Sequence, residues 1–144
     1  MRVTELYDRA VRLLARREHT RAELLHKLAA HGTPDEIEMV LNQLAAAGLQ
    51  SDARFTESYL RAKASRHGPA RLRQTLRAKG VDEALIEAQM ASLPDELERA
   101  REVWAKKFSA PPANVQEWAK QARFLHGRGF AADVIRQLLK EIDS

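Results

Sequence analysis

The sequence predicts an all-α protein built from three tandem three-helix repeats. Three observations carry that expectation. Leu-x-x-x-Gly recurs at Leu28…Gly32, Leu76…Gly80 and Leu125…Gly129, and five residues beyond each glycine stands an aliphatic one: Ile37, Leu85, Val134. A motif returning at nearly constant spacing marks repeated supersecondary units. Apolar residues fall at i, i+3, i+4 and i+7 along most of the chain, and no stretch alternates as a strand would. Six glycines and five prolines are few for 144 residues, and most punctuate the periodic stretches.

The first repeat is placed at residues 1–50. Val3, Leu6, Tyr7, Ala10, Leu13 and Leu14 form one helical stripe, and that helix is expected to end near Glu18. Thr20-Arg-Ala-Glu23 is a capping box: the Thr20 hydroxyl serves a free backbone N–H and Glu23 reaches back. A second helix with Leu24, Leu25 and Leu28 follows, to Gly32. Thr33 with Pro34 at the first helical position opens a third, carrying Ile37, Val40, Leu41 and Leu44 toward Gly48.

Residues 51–94 repeat this logic. Ser51 or Asp52 caps a helix with Phe55, Tyr59 and Ala62, which breaks at His67-Gly68-Pro69. Leu72 and Leu76 lead to Gly80, and a helix capped by Asp82 carries Leu85, Ile86, Met90 and Leu93 to Pro94. The third repeat, 95–144, opens at Asp95 with Leu97, Ala100, Trp104 and Phe108, and breaks at Ser109-Ala-Pro-Pro-Ala113. It restarts at the box Asn114-Val-Gln-Glu117 and closes with Val134, Ile135, Leu138 and Ile142. Nine helices result. A three-helix unit of this size buries little by itself, so the repeats are expected to lean on one another. Gly32, Gly80 and Gly129 are expected to take positive φ as helix C-caps.

Composition narrows the function. Cysteine is absent, which excludes disulfides and every thiolate metal, redox or nucleophile site. There is no run of eighteen apolar residues, and Met1-Arg2-Val3-Thr4-Glu5 lacks the apolar block of a secretory signal. A cytoplasmic protein without membrane attachment is expected. No phosphate loop or nucleophile–base signature stands out; Gly127-Arg-Gly129 has no preceding strand and is assigned to a helix end. His26 and His31 are five apart, a poor match to metal-binding i, i+4 spacing, and the histidines at 19, 26, 31, 67 and 126 are assigned to surfaces near helix ends. Trp104 and Trp118 lie on apolar stripes and are assigned to the core; the alternative is an exposed anchor or stacking platform.

Charge is the main signal. The net charge is +4, but residues 58–81 hold seven basic side chains and no acidic one, while 82–102 hold seven acidic and two basic. The seven are Arg61, Lys63, Arg66, Arg71, Arg73, Arg77 and Lys79, assigned to two consecutive helices around Gly68-Pro69. A solvated helix face usually interleaves both signs. The stretch is therefore a candidate surface for nucleic acid or for an acidic protein face, with internal pairing to residues 82–102 as the bland alternative. Lys120, Arg123 and Arg128 form the next basic group.

Four blocks then bear on family: Leu13-Leu-Ala-Arg-Arg-Glu-His-Thr-Arg-Ala-Glu-Leu-Leu-His-Lys-Leu28, Ser51-Asp-Ala-Arg-Phe-Thr-Glu-Ser-Tyr-Leu60, Gly68-Pro-Ala-Arg-Leu-Arg-Gln-Thr-Leu-Arg-Ala-Lys-Gly-Val81 and Phe124-Leu-His-Gly-Arg-Gly-Phe130. In this order and spacing the chain closely resembles the RecX family of bacterial recombination regulators. The resemblance implies a curved, elongated array of three-helix repeats that binds the RecA filament on DNA and restrains its ATPase, strand-exchange and coprotease activities. It implies no enzyme activity, cofactor or catalytic residue. A monomer with at most weak direct DNA contact is expected. A helical protein that binds DNA without RecA is the alternative, and a helical scaffold for some other protein a third.

Overall fold

The computed structural model describes residues 2–143; Met1 and Ser144, where the first predicted repeat begins and the third ends, lie outside the described residues. Among the described residues there are nine helices and no strand: α1 (Arg2–Arg16), α2 (Arg21–Leu28), α3 (Pro34–Ala46), α4 (Asp52–Lys63), α5 (Pro69–Ala78), α6 (Glu83–Met90), α7 (Glu96–Lys107), α8 (Val115–Gly127) and α9 (Ala132–Asp143). The helix starts follow the predicted caps. Thr20 and Thr33 both close full capping boxes, with Glu23 and Glu36, and Pro34 occupies the first turn of α3. Ser51, rather than Asp52, caps α4 by accepting from Arg54 N. The Asp52 carboxylate instead accepts from Arg21 N and from Gln50 Nε2. At α8 the Asn114 side chain accepts from Glu117 N as expected, but Glu117 reaches back one residue further, to Ala113 N.

The helix ends depart from expectation in instructive ways. Positive φ occurs at Gly48 (73°), Gly80 (83°) and Gly129 (97°), and not at Gly32. Each of the three completes a Schellman turn with paired return bonds: Gly48 N to Ala45 O and Leu49 N to Leu44 O, Gly80 N to Arg77 O and Val81 N to Leu76 O, Gly129 N to His126 O and Phe130 N to Leu125 O. Gly32 has a different task. A Cβ there would come within 2.6 Å of Leu6 Cδ1, so the missing side chain lets the chain pass close to α1. Three helices are shorter than expected: α1 stops at Arg16, not Glu18, α2 at Leu28, not Gly32, and α6 at Met90, with Leu93 in a following turn.

The chain divides into two compact units, and the division falls inside α4, α5 and α6. One unit comprises residues 1–59 and 76–86. Its core is built from α1, α2 and α3 through Leu6, Ala10, Leu24, Leu28, Ile37, Val40, Leu41 and Leu44. Residues 76–86 join it through backbone. Thr20 Oγ1 donates to Lys79 O at 2.7 Å, and Gly80 lies so close to Ala22 that a Cβ would overlap it. The other unit comprises residues 60–75 and 87–144, with a core of Ala100, Val103, Leu125, Phe130, Ile135, Leu138 and Leu139 from α7, α8 and α9 and the turn before α9. Burying such branched side chains contributes roughly 1.5–3 kcal/mol each before the entropy of ordering them is set against it.

Candidate partner-binding surface

The basic stretch is centred on the turn between α4 and α5, and backbone chemistry fixes that turn. Gly68 N donates to Arg128 O at 2.6 Å and Ala70 N to Gly129 O at 3.2 Å, so the turn docks on the glycine turn that ends α8. A Cβ on Gly68 would stand 2.5 Å from Gly129 C and O, and one on Gly129 would stand 2.6 Å from Arg71 N. Glycine at both positions is what lets two backbones meet. Arg71 Nη1 adds a bond to Gly127 O at 3.1 Å. Beneath the turn, Arg99 is 5% exposed and gives Nη1 to His67 O (3.0 Å) and Ala64 O (3.4 Å), and Nε to Pro94 O (3.2 Å). Burial lowers its pKa, against the opposing effect of Glu96 and Asp95. A guanidinium remains charged regardless.

Three of the seven predicted residues pair with carboxylates. Arg73 pairs with Glu87 through two bonds, Nε to Oε2 at 2.7 Å and Nη2 to Oε1 at 3.0 Å. Arg77 does the same with Glu83, at 2.8 and 2.6 Å. Lys79 Nζ lies 3.2 Å from Glu23 Oε2. For these three the bland alternative, pairing with acids elsewhere in the chain, describes the structure, although Lys79 finds its acid on α2 rather than in 82–102. Arg77 and Lys79 belong to the first unit; Arg61, Lys63, Arg66, Arg71 and Arg73 belong to the second. Arg66 lies in the turn after α4, and Lys79 beyond the end of α5, so neither is on a helix. Arg61 is exposed on α4.

What remains is a tighter group. Burial and then the charges of Arg71, Arg128, Arg66 and Lys63 lower the pKa of half-buried His67 to about 4, which marks the positive field at the turn. The His67 Nδ1 is buried and without a hydrogen-bond partner. Arg128 also lies over the Phe124 ring, 5.0 Å from its centroid, and Lys107 Nζ lies 5.6 Å from the same centroid. Phe108 meets Phe124 edge to face at 5.4 Å. Arg128 is legible in the sequence as part of a second basic group, whereas Lys106 and Lys107 carry no signal there, because two lysines ending a helix are ordinary.

The other candidates resolve individually. Trp104 packs against the α7–α9 core and donates Nε1–H to Gln121 Oε1 at 2.8 Å. Trp118 does not belong to the core: it is 38% exposed, beside Val115 at 82%. His26, His31 and His126 are at the surface, but His19 is buried, its Nδ1 3.0 Å from Arg17 O. Among the described residues no group of three or more His, Asp or Glu is placed to hold a metal, and no helix is long and apolar enough to cross a membrane.

Fold and surface together define a class: a small protein of tandem three-helix units whose most distinctive chemistry is exposed positive charge. Sequence comparison identifies the family. Residues 7–44, 51–90 and 94–139 match, in order, the first, second and third three-helix domains of RecX. The regulatory protein RecX of Leptothrix cholodnii is 49% identical over 140 residues, which is 96% of this chain and 89% of the relative. That of Chromobacterium violaceum is 46% identical, covering 93% and 88% respectively. The chain belongs to the RecX family. Its fold also superposes on the crystal structure of RecX from Lactobacillus salivarius with a TM-score of 0.84 at 24% identity, covering 99% of this chain and 97% of that one. A second crystal structure, of a regulatory protein RecX, gives 0.82 at 24% identity and covers 96% and 73%.

Proposed function

We propose that this protein is a non-enzymatic regulator that binds the RecA filament on DNA and inhibits or modulates its ATPase, strand-exchange and coprotease activities. Family membership supports a regulatory role, since the relatives are named regulatory proteins. The observation that carries the surface assignment is the group Lys63, Arg66 and Arg71, joined by Arg128 around His67. The three repeats, 1–50, 51–94 and 95–144, act as the binding units, in the same order as the three family matches. Several weak contacts on a repeating filament raise the overall affinity well above that of any one of them. The protein works in the cytoplasm, as a monomer, without a cofactor, in recombination and the SOS response.

The test is inhibition of RecA ATPase on single-stranded DNA. Lys63→Gln/Arg66→Gln/Arg71→Gln is expected to raise the half-inhibitory concentration at least tenfold. Arg73→Gln/Arg77→Gln, whose cations face Glu87 and Glu83, is expected to raise it less. Unchanged inhibition by the triple variant would remove these residues from the partner surface. Inhibition abolished by excess single-stranded DNA would favour the other reading, a protein that acts by binding DNA.

A further inference from the structure

One depression of about 210 Å³ lies within the second unit; it shares Arg66 and Arg128 with the surface proposed above, but Lys106, Lys107 and Phe124 lie outside that proposal. Ser65, Arg66, Val103, Lys106, Lys107, Phe124 and Arg128 line it. Four of these seven side chains are cationic, none is acidic, and none of the four forms an ion pair among the described residues. Some exposed arginines elsewhere pair with carboxylates: Arg54 with Glu18, Arg17 with Glu23 and Arg101 with Glu141. A cation at a helix C-terminus is favourable by itself, which accounts for Lys106 and Lys107 in the last turn of α7 and for Arg128 at the cap of α8. It does not account for four cations sharing one depression with no counter-charge.

We propose that this depression is a binding site for a phosphate oxyanion. A single carboxylate presents two oxygens and one charge. Four convergent cations suit a phosphate better, because it offers more acceptor oxygens and, as a monoester, more charge. Arg66 and Arg128 supply planar forks and Lys106 and Lys107 mobile point charges, a combination common where phosphate is held without base recognition. The Phe124 ring is already engaged by Lys107, Arg128 and a perpendicular contact with Phe108. It serves to hold the two cations at the rim and not as a platform for stacking a base. The site therefore reads phosphate and not sequence. The phosphate comes either from a nucleic-acid backbone or from a free phosphate compound such as a nucleotide or pyrophosphate. The site stands whether or not RecA is the partner, since only residues of this chain define it.

The experiment uses the full chain and a 30-nucleotide oligothymidylate labelled at its 3′ end, with binding read by fluorescence anisotropy in 50 mM salt. Lys107→Gln/Arg128→Gln is expected to weaken binding at least tenfold and to flatten the log–log salt slope by about 1.4, at roughly 0.7 for each phosphate no longer neutralised on a single strand. Lys106→Gln/Lys107→Gln leaves the Arg128–Phe124 contact intact and is expected to behave alike. Arg12→Gln/Lys27→Gln makes the same charge change on α1 and α2 and is expected to change affinity less than threefold. Circular dichroism checks that helix content is kept. Pyrophosphate that displaces the oligonucleotide at millimolar concentration identifies free phosphate as a ligand; displacement by unlabelled oligonucleotide alone identifies the backbone. Equal losses in the site and control variants, retention of wild-type affinity by both site variants, or displacement by polyglutamate as effective as by pyrophosphate or unlabelled oligonucleotide would each overturn the proposal.

Discussion

Glu23 and Lys79, 56 residues apart in sequence, meet with the Glu23 Oε2 3.2 Å from the lysine Nζ. The same carboxylate accepts from Arg17 Nη2 at 3.2 Å and from Thr20 N at 3.0 Å. One side chain thus closes the capping box of α2 and ties the segment after α5 to it. Burial alone pushes the Glu23 carboxyl up, but Arg17, the Thr20 N–H and Lys79 together outweigh it and bring the pKa to about 2.

A carboxylate whose folded pKa lies below its unfolded value near 4.5 stabilises the fold above that value and loses the effect as pH falls toward 2. Stability of the wild type is therefore expected to drop by about 1–2 kcal/mol between pH 5 and 2 on account of this group, after allowing for the solvent exposure of Arg17 and Lys79. Urea unfolding across that range, compared with Glu23→Gln, measures it. Equal acid dependence in both proteins would show that Glu23 carries no such coupling.

The glycines give an ordered series. Gly48→Ala meets open space and is expected to lose only the strain of positive φ, about 1 kcal/mol. Gly80→Ala adds overlap with Ala22, and Gly129→Ala adds overlap with the Arg71 backbone, so both are expected to cost more. Gly68→Ala, with no positive φ but with Gly129 and Phe130 backbone atoms 2.5–2.6 Å from the new Cβ, is expected to be among the most damaging. Thermal midpoints of the four variants check the order, and Gly68→Ala milder than Gly48→Ala would contradict the docking of the two turns.

Arg99 replaces solvent for three carbonyls. Arg99→Met fills comparable space but leaves the Ala64, His67 and Pro94 oxygens without this donor, so a loss of about 2–4 kcal/mol is expected. Arg99→Lys, lacking the planar fork, is expected to recover little of it. Denaturant unfolding of both variants distinguishes a hydrogen-bonding role from simple packing, in which methionine would be tolerated.

His67 titrates low, near pH 4, through burial and the cations Arg71, Arg128, Arg66 and Lys63. The unfolded chain takes up this proton near pH 6.5 and the folded chain does not, so the neutral ring favours the folded state progressively less as pH falls from about 6.5 to 4. An NMR titration of its ring proton is expected to show a midpoint well below the ordinary imidazole value of 6.5, and to move upward in Arg66→Gln/Arg128→Gln. A midpoint near 6.5 in the wild type would remove the positive field inferred at this turn.

Much of the fold was open to sequence reasoning because its signals are local. Thr20 and Glu23, Thr33 and Pro34, Asp95 and Asn114 act within one helical turn of themselves, and the apolar stripe of each helix repeats every three to four residues. Gly80 and Gly129 end helices by backbone geometry that needs only their immediate neighbours. Gly32 misled for the same reason, since its place in the repeat says nothing of the Leu6 side chain that passes over it.

The sequence by itself determined the helical class, the order of nine helices, the family and the presence of an acid-free basic stretch. Tertiary structure decided which of those charges meet a carboxylate and which gather around one turn. Glu87, Glu83 and Glu23 engage Arg73, Arg77 and Lys79, while the docking of Gly68 on Arg128 gathers Lys63, Arg66 and Arg71 beside cations that sequence places far away. The reason is physical. A hydrophobic stripe or a cap is set by residues within a turn or two, whereas the electrostatic state of a side chain depends on every charge within about a Debye length, wherever the fold brings it from.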